Sequence, residues 1–236
     1  MNPDGPSVDR EAHNLRASGS AAALCRRFVN TLPVDGASIS VFGIGWQQTT
    51  IAASDRVAAA LEELQFDLGE GPHWQAIQTG RSVSVTDLDS AQSDAWPMFA
   101  SAALGIGVHA VIALPLKLGA TTIGVVDLNR RLAGPFGSEA LETAETLTRR
   151  TALASARFAA ETAREDVVEE SDTAPALRRE VHQAIGMIVV QLNTTATEAF
   201  ARLRAHAFAS GRTVQAVALD VVNRQLDFAA LQDDAT

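Results

Sequence analysis

"VHAVIALPLKL" (108–118) and "TTIGVVDLNR" (121–130), with only Gly119 and Ala120 between them, decide the fold class. Both runs are rich in β-branched residues. A two-residue gap containing glycine is the signature of a tight hairpin, so the two strands run antiparallel. Upstream, "GASISVFG" (36–43) and "TTIAAS" (49–54) predict a second hairpin, and "RSVSVTDL" (81–88) alternates as a further strand. Helices are predicted around them. One spans residues 9–32 and is closed by Pro33. Another spans 55–66, with Asp55 as N-cap. A short one lies in 69–80, with Pro72 in its first turn and Gly80 as its stop. The last lies in 93–105. From 137 to 170 no proline or glycine interrupts the chain after its start, which predicts one long helix. Antiparallel strands with helices before, between and after them make an α+β fold, with a central antiparallel five- to six-stranded sheet flanked by helices.

Beyond Pro175 the β signal stops. Residues 176–192, 196–210 and 213–228 read as three helices separated by "NTT" and "SGR". Thr195 or Thr197 caps the second of these, and Gly211 ends it. A bundle this small lies near the lower limit for an independent core and gains from a partner copy. The expected organisation is a disordered tail (1–8), an α+β domain (9–137), a long connecting helix (138–170), the bundle (171–228) and a tail (229–236).

The chain has 236 residues, 47% of them hydrophobic, enough for real cores. Its single cysteine, Cys25, excludes an internal disulfide and fits a reducing cytoplasm. No signal peptide or membrane span is read. The net charge of −9 argues weakly against nucleic acid, but it is unevenly spread. Residues 161–174 carry six acids and one arginine, whereas 175–228 carry six arginines and four acids. A locally basic bundle thus follows an acidic connector, with Pro175 as a candidate hinge; the connector could shield the bundle, or simply keep the domains apart. There is no phosphate loop: "GEGP" (69–72) lacks the Lys-Ser/Thr that would follow.

The stretches "DLGEGPHWQAIQTGRSVSVTDL" (67–88), "WPMFA" (96–100), "GVHAVIALPL" (107–116) and "IGVVDLN" (123–129) resemble a GAF domain, a sensor module for small molecules or chromophores. In the bundle, Arg178, Gln183, Ala184, Gly186 and Met187, then Ala199, Phe200, Leu203, Arg204 and Ala207, then "VQAVALDVV" (214–222), resemble an ANTAR domain. That module is the three-helix RNA binder of bacterial antiterminators. The family commonly has lysine where this chain has Ile185. The resemblance implies a signal-responsive homodimer that binds stem-loops in an mRNA leader and promotes transcription antitermination. It implies no required cofactor, and it names no GAF ligand; the input is a small molecule or an upstream signalling protein. The alternative is a protein-interaction adaptor with a helical partner-binding tail. An enzyme accessory ranks last.

The residues themselves give a parallel reading. On a helical wheel at 100° per residue, with Phe200 at 0°, Arg204 falls at about 40° and Phe208 at about 80°, beside Leu203 and Ala207. Arg202 and His206 fall on the far side. An arginine in an apolar arc must snorkel, find an acceptor such as Asp220, or contact RNA. The RNA-binding candidates are Arg178, His182, Gln183, Gly186, Arg202 and Arg204. Gly186 costs roughly 1 kcal/mol against alanine inside a helix, which points to close approach of another helix or of a ligand, helix packing being the commoner cause. The candidates for a sensor pocket are Trp46, Phe66, Trp74, Trp96, Phe99 and His109. The five histidines show no metal-type spacing. Glu70 and His73 are read as a turn and helix start rather than an acid–base pair, and no Ser/His/Asp set stands out by spacing. Catalysis is not expected. The segment 138–170, with Leu141, Ala144, Leu147, Ala154, Phe158 and Ala163, predicts a homodimer through this helix without a strict heptad.

Overall fold

The structure is a computed structural model and describes residues 22–42, 48–165 and 179–233. The first unit is built from helix α1 (22–31), β1 (Gly36–Phe42), β2 (Gln48–Ala53), α2 (Arg56–Leu68), α3 (Pro72–Thr79), β3 (Val83–Val85), α4 (Pro97–Gly105), β4 (Ala110–Leu118), β5 (Thr121–Arg130) and α5 (Ser138–Glu165). Its five strands form one antiparallel sheet in the order β2-β1-β5-β4-β3. The β4–β5 hairpin closes at Leu118 opposite Thr121, and Gly119 supplies the positive φ of 62° that the turn needs.

Local signals set most element ends. Asp55 caps α2 by accepting from the amides of Val57 and Ala58, and Gly69 ends it in the left-handed region. Pro72 opens α3 and Gly80 closes it. One stretch is shorter than predicted. The strand expected over 81–88 survives only as β3, because the Gln92 side chain takes the amide of Thr86 and turns the chain away. The short helix expected within 93–105 runs from Pro97 to Gly105, after a 3-10 turn at Ala91–Ser93.

Both sheet faces are covered. On one, α1 and α5 bury Cys25, Phe28, Ala144 and Ala152 against Ile39, Ile112, Leu114, Val126 and Leu128. On the other, α2 and α4 pack Leu61, Phe99 and Ala103 over Val111, and α3 packs Ala76 and Ile77 over Ala113 and Val125. The packing of α5 changes one sequence expectation. Leu141, Ala144 and Leu147 press onto this chain's own sheet, so that part of the apolar stripe is not left over for pairing between copies. The side chains of Phe158 and Ala163 lie outside the described residues, as does the connector with its candidate hinge at Pro175.

The second unit contains α6 (Arg179–Leu192), α7 (Ala196–Ala209), α8 (Val214–Val222) and α9 (Phe228–Asp233). Val181, Ala184 and Ile188 of α6, Ala199, Leu203 and Ala207 of α7, and Val214, Val217, Ala218 and Val221 of α8 form its core. Thr195 and Thr213 cap α7 and α8 with their hydroxyls. The third helix stops at Val222 rather than 228. Arg224 takes a positive φ of 58°, and the amides of Gln225 and Leu226 both turn back to the Asp220 carbonyl. This reversal brings Phe228 inward, where its amide donates to Gln191 and its ring meets His206 edge-on, and a fourth helix forms where a tail was expected.

Candidate functional site

Helix α7 carries the main candidate. Its inner face is fixed by Ala199, Leu203 and Ala207, all buried. That rotation leaves Arg204 half-buried at the edge of the core, as its wheel position requires. The candidate acceptor Asp220 is not its partner and pairs with Arg212 at 2.5 Å instead. Arg212 in turn holds the Asp220 carboxyl below its ordinary value, chiefly by donating to it. Arg204 lies over the Phe200 ring, with its guanidinium carbon 5.6 Å from the centroid, and has no ion pair among the described residues. Desolvation pushes its pKa below the ordinary arginine value, yet a guanidinium remains a cation at any physiological pH. A partly dehydrated, ring-backed cation with no counter-charge among the described residues is suited to a phosphate or to the face of a base.

The other predicted residues distribute unevenly. Arg202 is exposed and engaged by Glu198 at 3.2 Å, one turn back on the same helix. His182 is half-buried, and Gln183 and Gly186 are exposed on α6. A Cβ on Gly186 would meet nothing within 4 Å among the described residues, so none of the described helices approaches it closely. Gln183, Gly186, Met187, Val190 and Gln191 line a shallow depression of about 420 Å³. Val190 is 81% exposed there. Arg178 lies outside the described residues.

The sheet domain holds a second constellation, which spacing did not reveal. On the face beneath α2 and α3, the central strands present Ser38 and Ser40 from β1 and Asp127 and Asn129 from β5, all buried. His73, in the first turn of α3, places Nδ1 2.6 Å from Asp127 Oδ2 and Nε2 3.5 Å from Ser40 Oγ. All three are at most 2% exposed. The arrangement is therefore a buried fastening of α3 to the sheet and not an open nucleophile. Gln65 accepts from the His73 amide, and Glu62 accepts from Gln48 and Thr50. Asp127 Oδ1, Asn129 Oδ1, Gln48 Oε1 and Gln65 Nε2 are buried without a hydrogen-bond partner among the described residues. Glu70 serves elsewhere, accepting from the Phe99 amide at the start of α4. The legible trace of this layer was "SIS" and "DLN", polar residues at alternate positions of central strands.

Of the predicted pocket residues that are described, only Trp96 and Phe99 share a cluster. Phe66 and Phe99 are core. Trp96 packs with Phe99 over Val111. Trp74 forms a cluster with Phe42 and His73 and donates its indole N–H to the Gln65 carbonyl. His109 spends its backbone groups on Leu88 and Arg130, and Trp46 lies outside the described residues. Cys25 is fully buried, and burial pushes its thiol up to about 12, so no thiolate forms near neutrality.

Comparison with known proteins gives two family matches: residues 20–155 match the GAF domain, and residues 169–222 match the ANTAR domain. No curated protein matches. Among solved structures, a domain of a two-component sensor histidine kinase protein from Sinorhizobium meliloti 1021 is similar at 20% identity, with a TM-score of 0.51 over 63% of this chain and 97% of that one. The GAF domain region of a protein from Geobacter sulfurreducens PCA is 18% identical, with a TM-score of 0.49 over 62% of this chain and 97% of that one. At such identity the likeness is one of fold.

Proposed function

Because the chain belongs to the GAF-domain family and carries an ANTAR domain behind it, we propose that it is a signal-responsive RNA-binding regulator. In this reading the GAF domain receives a signal, from a small molecule or an upstream protein, and the ANTAR bundle holds stem-loops of an mRNA leader to promote transcription antitermination. The protein acts in the cytoplasm, as a homodimer and without catalysis. No described helix is long and apolar enough to cross a membrane. The observation that carries the proposal is Arg204: half-buried, backed by Phe200 and without a carboxylate partner among the described residues. A cation placed so is matched by a phosphate or an unpaired base, both of which RNA supplies.

The test is titration of the intact protein with an RNA hairpin and with a duplex of matched length. The hairpin binds more tightly, and its affinity falls as salt rises, because bound phosphates release counterions. Arg204→Ala weakens hairpin binding while helical circular dichroism stays unchanged. Equal affinity for the two RNAs, or none at low salt, overturns the proposal; so does unfolding of the bundle by Arg204→Ala, which makes that residue structural. The adaptor reading has one observation in its favour, the exposed Val190 beside the open Gly186. It requires capture of a partner protein that is insensitive to salt and proceeds without RNA.

A further inference from the structure

Phe208 is 60% exposed, an unusual position for a large aromatic ring on so small a bundle. The core beside it is already filled by Leu203 and Ala207 of the same helix. Phe200, Arg204 and Phe208 succeed one another at intervals of four residues, so they ascend one flank of α7, each about 40° further round than the last. The lower ring is covered by the guanidinium of Arg204. The upper ring has no ring or cation partner among the described residues. Ala201 and Ala205 lie next to it on the outer side, both exposed, and offer nothing taller than a methyl group. Among the residues of α7 itself, no acid stands on this flank. Glu198, the nearest acid along the helix, is held on the other side by Arg202 and Thr194.

We propose that Phe208 is a stacking site for one unpaired nucleobase of bound RNA, with Arg204 holding the phosphate beside that base. The inference rests on the RNA-binding reading above and adds a residue and a chemistry to it. A flat apolar ring flanked by an uncompensated cation complements a group that is flat and apolar on one side and anionic on the next, which describes a nucleotide. A base already stacked inside an A-form helix cannot present its face, whereas a loop base can. Phe208 therefore favours loops over duplexes without reading a sequence, because every base has a π-face.

The experiment uses the intact protein and a pool of RNA hairpins randomised in the loop, together with a fully paired duplex. Two variants are compared, Phe208→Leu, which keeps an apolar side chain but removes the ring, and Phe208→Trp, which keeps a stacking surface. Exposure of the position makes both compatible with folding, and helical circular dichroism checks this. Phe208→Leu weakens hairpin binding by about 5- to 150-fold, the range for loss of one aromatic–base stack. Phe208→Trp binds like wild type, and duplex binding changes for neither. With a 2-aminopurine at the responsive loop position, wild type quenches the probe and Phe208→Leu does not. If wild type binds hairpins and Phe208→Leu binds them equally well, this inference falls and the RNA-binding reading stands. If wild type binds no RNA at all, both fall. If Phe208→Leu instead lowers self-association in sedimentation and leaves RNA binding intact, the ring is a contact between copies and the inference is overturned.

Discussion

The GAF domain turns polar groups inward, and the ANTAR bundle turns apolar groups outward. In the first, Ser38, Ser40, His73, Asp127 and Asn129 lie buried between sheet and helices. In the second, Val190 and Phe208 face water while the core is made from alanine, valine, leucine and isoleucine with Phe228. Both depart from the simple rule of apolar inside and polar outside, but the physics differs. A buried polar group loses hydration and must be held by partners, so its removal is felt in stability. An exposed ring loses little by substitution, so its removal is felt only where something lands on it. The two departures are therefore separable by experiment.

The largest expected effect is Asp127→Ala. It strips the buried His73 of its 2.6 Å partner and lowers stability of the GAF domain by about 3 kcal/mol. Tryptophan fluorescence in urea measures this, because Trp74 in α3 and Trp96 at the start of α4 both lie in the GAF domain. A loss below about 1 kcal/mol breaks the comparison, since the polar layer would then not be holding the fold. Next comes alkaline stability. The folded Cys25 thiol is raised from 9.0 to about 12, so folding retains its proton. That contribution is complete below the unfolded value and is lost as pH climbs through the interval up to about 12. In Cys25→Ala, urea midpoints followed upward from neutral pH fall less steeply than in wild type; parallel curves contradict the assignment. Thr195→Ala, which removes the α7 cap, costs about 1 kcal/mol in helical circular dichroism and leaves the tryptophan transition where it was. Movement of that transition would mean the two units do not unfold separately. Smallest is Phe208→Ser, with a change in bundle stability under about 0.5 kcal/mol. A larger loss would place the ring in the core and remove the contrast altogether.

What could be read in the sequence was local. Gly119-Ala120 announced the hairpin, Asp55 its helix cap, Pro72 and Gly80 the two ends of α3, and each did in three dimensions what its chemistry required. The wheel placed Arg204 correctly at the edge of the core, because the inner face of α7 is set by its own residues. What escaped was contact across distance. His73 meets Ser40 and Asp127 over separations of 33 and 54 residues, and only the β1–β5 register puts the two strand residues under one imidazole. The sequence leaves the acceptor of Arg204 open, with Asp220 one candidate, for a related reason: choosing between Arg204 and Arg212 depends on how α8 packs on α7. The end of α8 escaped because Arg224, not a glycine, takes the left-handed conformation there. Gly186 was legible as a cost but not as an opening, since only packing shows that none of the described helices reaches it.

Helix α5 is set into the sheet domain along its first half and a little beyond: Ala144, Thr148, Thr151, Ala152 and Ser155 are all buried. It is in effect a pointer with its base clamped in the hydrophobic core. Ten further residues carry its axis from Ser155 to Glu165, roughly 15 Å at the usual helical rise. A clamped pointer cannot slide or spin without tearing the core, so what remains to it is change of direction. A tilt of about 10° at the clamp moves the tip by roughly 2.5 Å, the length of a hydrogen bond, at the point where the acidic connector begins.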